Sequence, residues 1–520
     1  MDIVQKISIL FLSLICLSIT GRGLASRGDL SAYRVAQFLN EDGNSKFDKF
    51  VINANTGDIY IGATNRIYHV KSNFALKEFV QTNGQCGDRC INHNKILLIS
   101  YESQKLIVCG SEIEGRCQMR SLQDISVSLE NGNTVVPSKM LSTEAIIARG
   151  PTGGNMLYIG ATYDPTRYGI GKVTPIARRT IWAYGDALLA SDAEIFFTSS
   201  VATNPKPFMI NYMDSYDWKG YTHFVTIQQT DYNPLPYLAD SNYVSKVSRV
   251  CQASKNFDAF TEVVLECQGQ SGGAYNLVQS VRVGKPGLLL AESMNVTENE
   301  DILYGVFARS VKKDGYEPSN STSICIYKMA DIDAAFAEAV YGCLRNGSEY
   351  ELEYVKNSHC PRFPSITPEI SAGMECDAFC FSFAKAKKSV VAQAAFEHTQ
   401  ASMSSINVKT ELNHTIAYIG TSHGDLLKIQ VDNKTNGRLY ETLHLKSPVL
   451  RELHFDEETE HVFVSTEREF QKLKTSNCSF FHTSEECIGV NGAEDGDPHC
   501  GWCTEQTRCT RYHECTSSGG

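Results

Sequence analysis

Six cysteines fall within the last 38 residues of the chain that hold any: Cys478, Cys487, Cys500, Cys503, Cys509 and Cys515. Two chemistries suit such a cluster. Thiolates hold zinc when four ligands meet at tetrahedral spacing, and paired thiols close disulfides in an oxidising compartment. Cys500-Gly-Trp-Cys503 taken alone would fit a zinc ribbon or a dithiol redox pair. The histidines nearby do not fall at zinc-ligand spacing, which favours disulfides. So short a segment buries too little apolar area to fold unaided, so the bridges must staple it. Trp502 then reads as the apolar cover of the cystines.

Other residues resemble chemistry without completing it. Gly269-Gln270-Ser271-Gly272-Gly273 has the outline of a serine-protease nucleophile loop, but no histidine lies in the matching context and Gln270 stands where a carboxylate belongs. It reads as a glycine-rich turn. Asp495 and Asp497 lack the further ligands of a calcium loop and read as a tight turn before Pro498. Lys385, Lys387 and Lys388 form a short basic run, more often a solvated loop than a sulfated-glycan site. The thirteen histidines are scattered. No catalytic residue, metal or cofactor is expected.

The compartment follows from the N-terminus. Lys6 precedes an apolar run at residues 7–19, too short to span a bilayer, and Gly23-Leu24-Ala25 supplies small residues for cleavage. Residues 1–25 therefore read as a secretory signal peptide. Sequons at Asn295, Asn320, Asn346, Asn413, Asn433 and Asn477 agree with export and predict N-glycosylation. No second apolar run of about 18 residues follows, so membrane attachment would need a segment absent from this chain. A net charge of −11 argues against nucleic-acid binding.

The elements that position these residues read as many short strands. They recur at 59–70, 105–110, 156–161, 223–228, 302–308, 416–431 and 461–473, rich in β-branched and aromatic residues. Residues 332–344 form the one clear helical pattern, with Asp331 as candidate N-cap. The phrases IYIGATNRIYHV, MLYIGATYDPTRYGIGKV and AYIGTSHGDLLKIQV repeat a form: strand, Gly-Ala or Gly-Thr, polar turn, strand. Repeated hairpins point to a β-propeller, with an assembly of β-sandwiches as the plainer alternative.

Several stretches resemble the plexin family. IGATNRIYHV (61–70), CGSEIEGRCQMRSLQDIS (109–126), NYVSKVSRVCQ (242–252), FTEVVLECQG (260–269), AYNLVQSVRVG (274–284) and SICIYKMADIDAAF (323–336) are similar to plexin sema domains. DPHCGWC (497–503) is similar to their PSI module. Semaphorins share both domains but usually carry Cys-Ala-Trp-Asp where this chain has Cys500-Gly-Trp-Cys503. The resemblance implies an all-β fold, a seven-bladed sema propeller over 26–475 with a PSI module over 476–516 and a short tail at 517–520.

It also implies disulfides joining Cys86 with Cys90, Cys109 with Cys117, Cys251 with Cys380, Cys267 with Cys325, Cys343 with Cys360, Cys478 with Cys500, Cys487 with Cys509 and Cys503 with Cys515. The plexin modules carry two further cysteines, normally bonded to each other, and both are missing here. Cys376 is then unpaired, or is the true partner of Cys251. The implied function is a cell-surface semaphorin receptor for guidance and migration signalling, engaging a dimeric semaphorin by sema–sema contact, with a possible co-receptor. The ligand surface would lie around 178–221, where Tyr184, Asp186, Asp192, Glu194, Tyr216 and Trp218 are the candidate contacts and Tyr212 and Asp217 lie nearby. Competing readings are a secreted semaphorin-type ligand and, remotely, a propeller-based hydrolase.

Overall fold

The computed structural model describes residues 26–515 apart from 44, 84–89, 113–114, 137–140, 163–173, 182–190, 196–209, 231–242, 256, 258, 313–314, 353, 355–357, 377–382, 457–459 and 490–495. Seven antiparallel blades follow one another along the chain. Their inner strands are Phe47–Ile52, Asn94–Ser100, Thr143–Arg149, Ile210–Trp218, Leu277–Gly284, Met403–Glu411 and Val449–Asp456. Each inner strand touches the next, and the seventh touches the first, so the ring closes. The outer strands are Leu76–Gln81, Ser128–Thr134, Ser191–Ile195, Phe260–Gln268, Val390–His398, Asn436–His444 and Arg34–Leu39.

The last of these comes from the start of the chain. Arg34–Leu39 pairs antiparallel with Glu469–Lys474, so the two ends of the propeller sequence share blade seven. Ser26–Gly28 adds a short parallel strand to the outside of blade six.

The repeated glycine of the sequence phrases has one physical role. A Cβ on Gly62 would lie 2.4 Å from the Asn94 side chain, one on Gly160 2.3 Å from the Tyr212 ring, and one on Gly420 2.5 Å from Val449. In each case an obstacle sits on the inner strand of the following blade, and at Gly420 the Ser405 hydroxyl of its own blade lies closer still, at 2.3 Å. The glycine marks where neighbouring blades crowd, a spacing only a hydrogen side chain permits. The core lies between blades, as in the cluster joining Tyr158 and Ile176 of blade three to Tyr212, Phe224 and Phe260 of blade four.

Charged side chains bridge the axial channel. Lys49 of blade one bonds Glu452 of blade seven at 2.9 Å. Arg451 reaches across to Glu144 of blade three at 3.4 Å and donates to the Met213 carbonyl of blade four. The final blade is thereby tied to three others.

Between the third and fourth strands of blade five lies an insertion. It carries the helix Met329–Asn346, longer than the predicted 332–344, and its N-cap is Lys328 with Asp331 inside the first turn. Asp331 is therefore not the cap: the preceding strand runs straight into the helix, leaving no turn for an aspartate to close. The insertion then returns along blade four. Phe383–Lys385 and Val390–His398 both pair parallel with Phe260–Gln268, the outer strand of blade four, while Val390–His398 also closes blade five. Blades four and five thus form one continuous ten-stranded sheet.

Disulfides join Cys109 with Cys117, Cys267 with Cys325 and Cys343 with Cys360. The expected bond of Cys251 with Cys380 is corrected: Cys251 bonds Cys376, so Cys376 is not unpaired. The reason is local. Glu375 accepts from Arg249 at 2.6 Å and from the Tyr221 hydroxyl at 3.1 Å, which brings Cys376 against Cys251 two residues along the strand. Cys90 is disulfide-bonded, whereas Cys86 and Cys380 lie outside the described residues.

The C-terminal cysteines pair as Cys478 with Cys500, Cys487 with Cys509 and Cys503 with Cys515. A short helix, Ser484–Ile488, starts at a capping box of Thr483 and Glu486, and a two-stranded hairpin joins Gly501–Cys503 to Arg508–Thr510. Trp502 packs on the cystine cluster. Asp495 lies outside the described residues, and the turn at Asp497 runs through Pro498 and not before it: the Asp497 side chain accepts from His499 N–H (3.0 Å) and its carbonyl from Cys500 N–H (2.9 Å). Residues 269–273 form a tight loop in which Gln270 N–H donates to Glu397 and Arg309 to the Gly272 carbonyl.

Candidate docking surface

A surface that binds another protein needs exposed side chains held on a rigid frame. The predicted region 178–221 spans the outer half of blade three and the inner strand of blade four, and these are different places. Asp192 and Glu194 lie on Ser191–Ile195, the outermost strand of blade three, paired on one side with Ile176–Thr180. They stand two residues apart on that strand, where its register against Ile176–Thr180 shifts between Arg178 and Arg179. Tyr184 and Asp186 lie outside the described residues.

Tyr216 and Trp218 stand at the far end of blade four's inner strand. Tyr216 is 8% exposed and stacks on His223 at 4.6 Å, so it is core and not the exposed anchor its sequence context suggested. Tyr212 is likewise buried against Phe224. The aromatic run of 212–218 alternates into the blade interface, and sequence reading assigned the inward set to the surface. Trp218 is half-buried, with its indole N–H donating to Asp301 at 2.9 Å and Lys219 over its ring at 4.3 Å. Asp217 is exposed and accepts from Gln252 at 2.7 Å.

The frame beneath is rigid. Arg178, fully buried in blade three, donates to the carbonyls of Ser254 (2.7 Å) and Lys255 (2.8 Å) of blade four and stacks on Phe257. Arg249 is also buried and pairs with Asp333 (2.9 Å) and Glu375 (2.6 Å) between the rings of Tyr221 and Phe336. Sequence reading missed both arginines. Their sites are built from loops distant in sequence, and only charged residues inside otherwise apolar strands could have drawn attention to them.

Edges differ around the ring. The outer strand of blade four is covered by the insertion, and that of blade six by Ser26–Gly28. Among the described residues, the outer strands of blades one, two, three and seven are each paired on the inner side alone, leaving outward edges with unpaired backbone groups.

The sequons are distributed unequally. Strands alternate in direction, so connections from first to second and from third to fourth strands share one face. Asn295, Asn346, Asn413 and Asn433 all lie on such connections, and Asn477 follows the third strand of blade seven at that same face. Asn320 lies on Pro318–Lys328, at the opposite end.

Comparison with known proteins agrees with this architecture. The sema domain family matches residues 279–456, from blade five to the first strand of blade seven. Rat Plexin-A3 is 27% identical over 500 residues, covering 88% of this chain. This chain spans 26% of that relative's length, about a quarter. The solved extracellular region of plexin A4 superimposes with a TM-score of 0.78 at 25% identity, over 93% of this chain and 55% of that one. A chain from the complex of Drosophila Plexin A with Semaphorin 1b shares the fold at a TM-score of 0.60 and 14% identity, over 96% of each. The resemblance to plexins read from the sequence is thus found in both sequence and fold, and no long apolar helix able to cross a membrane occurs among the described residues.

Proposed function

We propose that this sema-domain chain, similar over most of its length to plexin extracellular regions, is the ligand-binding head of a cell-surface receptor and engages a semaphorin through the edge of its propeller. In this reading residues 1–25 are a signal peptide, 26–475 the sema domain and 476–516 the PSI module, which aims whatever follows. The head itself binds and does not catalyse. A dimeric semaphorin would bring two such heads together, and tethering raises avidity by turning the second encounter into an intramolecular one.

The observation that carries the proposal is the outward edge of blade three. Asp192 and Glu194 lie on that outermost strand, beside a blade four tied to blade three by Arg178. Acidic residues on a rim steer a basic partner more than they add affinity, so their reversal should act mainly on the association rate. The test is Asp192→Lys with Glu194→Lys, measured by surface plasmon resonance against a panel of semaphorins. Binding weakened tenfold or more with native thermal stability supports the assignment. Unchanged binding refutes it.

A further inference from the structure

The six sequon asparagines are not equivalent. Asn295, Asn320, Asn346, Asn413 and Asn433 are exposed, while Asn477 is half-buried. It lies in a groove of about 590 Å3 between blade seven and the cysteine-rich module. That size falls within the roughly 300–1,000 Å3 typical of pockets that enclose a small organic ligand. Its walls are mixed: Phe481 offers an aromatic surface, Lys474, His482 and Arg508 offer donors, and Glu514 an acceptor. An aromatic face with polar groups around it suits a sugar ring, whose C–H face stacks while its hydroxyls and acetamido group bond the rim.

We infer that Asn477 carries an N-linked glycan whose first N-acetylglucosamine residues fill this groove and brace the module against the propeller. The linkage forms when C1 of the sugar leaves its polyprenyl pyrophosphate carrier for Nδ2 of Asn477, which gives up one proton. Ser479, the hydroxyl residue of the sequon, donates to Asn477 Oδ1 at 3.1 Å in the folded chain. Cys478 lies between them and is bonded to Cys500. Transfer therefore precedes closure of that bridge, because the transferase needs the sequon extended. Folding then closes the groove around the sugar. The other five glycans project from helix ends, turns and strand ends and brace nothing.

The inference rests on passage through the secretory pathway, and the test separates the two. The full chain, secreted from cells with N-glycosylation, is treated natively with peptide N-glycosidase F, and each site is followed by glycopeptide mass spectrometry. The five exposed glycans are released, and the one at Asn477 is released at least tenfold more slowly until the protein is denatured. Occupied exposed sites with an empty Asn477, or release at equal rates, overturns the inference alone. No occupied site at all overturns the secretory reading with it. Ser479→Ala removes the sequon but keeps Asn477, and Ser479→Thr keeps both. Hydrogen exchange in 476–489 and 500–510 rises several-fold in the Ala variant and not in the Thr variant. Equal exchange in the two overturns the bracing role.

Discussion

The bond between Cys251 and Cys376 spans 125 residues of sequence. Two nested bridges shorten the loop it closes, since Cys267 with Cys325 spans 58 residues and Cys343 with Cys360 spans 17. Subtracting both leaves an effective loop of roughly 50 residues. On the chain-entropy model such a loop restricts the unfolded state by about 4 kcal/mol, against about 5 kcal/mol for the full span. Unfolding a propeller of this size releases on the order of 0.9 kcal/mol per kelvin of entropy, so loss of the bridge lowers the melting temperature by about 4 °C. The perturbation is Cys251→Ser with Cys376→Ser, which leaves no orphan thiol. Its control is Cys380→Ser, which removes the cysteine that homology would pair with Cys251. Calorimetry should show the double variant falling by several degrees and the control unchanged. A control that loses as much as the double variant refutes the pairing. A double variant that loses nothing refutes the entropy argument and leaves the Arg249 clamp to hold the insertion alone.

Other consequences are smaller in scope. Lys428 is fully buried and bonds Glu441 at 2.5 Å, so Lys428→Met strands a buried carboxylate and costs about 3–5 kcal/mol, while Lys428→Met with Glu441→Leu recovers most of it in denaturant titrations. Burial in the aromatic cluster, then the charge of Arg249, brings the His223 imidazole down to about 3. Its folded value is depressed, so its neutral form stabilises the fold above the ordinary histidine range and this is lost as pH falls: at pH 5 the protein forfeits about 2 kcal/mol, which His223→Phe should restore in pH-dependent melting. Burial would raise the Asp497 carboxyl, but His499 and Lys428 hold it below the ordinary carboxylate range. Its contribution is therefore present above that range and lost below it, and hydrogen exchange in 476–489 and 500–515 should rise only under strong acid, with Asp497→Asn raising it at neutral pH.

The propeller was legible because its repeat has a steric cause. Gly62, Gly160 and Gly420 recur where the next blade's inner strand presses in, so a strand–glycine–turn phrase survives even where other residues have drifted. The helix of the insertion was legible from its apolar spacing, though its start was misplaced because strand and helix meet without a turn. The candidate docking region of 178–221 mixed two environments. Alternation in 212–218 was read without knowing which face of blade four is covered, so Tyr216 was placed outside when it packs on His223. The partner of Cys251 was undecidable between Cys376 and Cys380, four residues apart. It is fixed by Arg249 and Glu375, two charges 126 residues apart that no local pattern connects.

That pairing bears on how the head could transmit force. The insertion is sewn to blade four by Arg249 with Glu375 and Asp333, by the Cys251 bridge, and by strand pairing along Phe260–Gln268. Blades four and five consequently move as one sheet, and Arg178 fastens blade three to them. On the other side, Arg451 and Glu452 lock blade seven to blades one, three and four across the axis. Blade six receives the module: Tyr418 bonds His499 at 3.3 Å, Arg438 donates to the Gly496 carbonyl at 2.7 Å, and Arg511 bonds Ser476 at 2.9 Å and Glu460 of blade seven. Glu460 sits with a left-handed backbone (φ 55°) in the turn that leads into His461–Thr466, a conformation unusual for a non-glycine residue. A ligand on the blade-three edge would therefore push on a body whose contacts, among the described residues, run from blade three to the cysteine-rich module. Binding there would reposition the module with the propeller and not bend one against the other. Glu460→Gly would suit that backbone but remove the ion pair with Arg511. Where the Glu460–Arg511 pair is what holds the junction, that substitution broadens the propeller–module angle in small-angle scattering and leaves affinity for a semaphorin unchanged, while an unchanged angle shows that the contacts of His499, Gly496 and Ser476 suffice. A loss of affinity would instead show that the docking surface extends to the module.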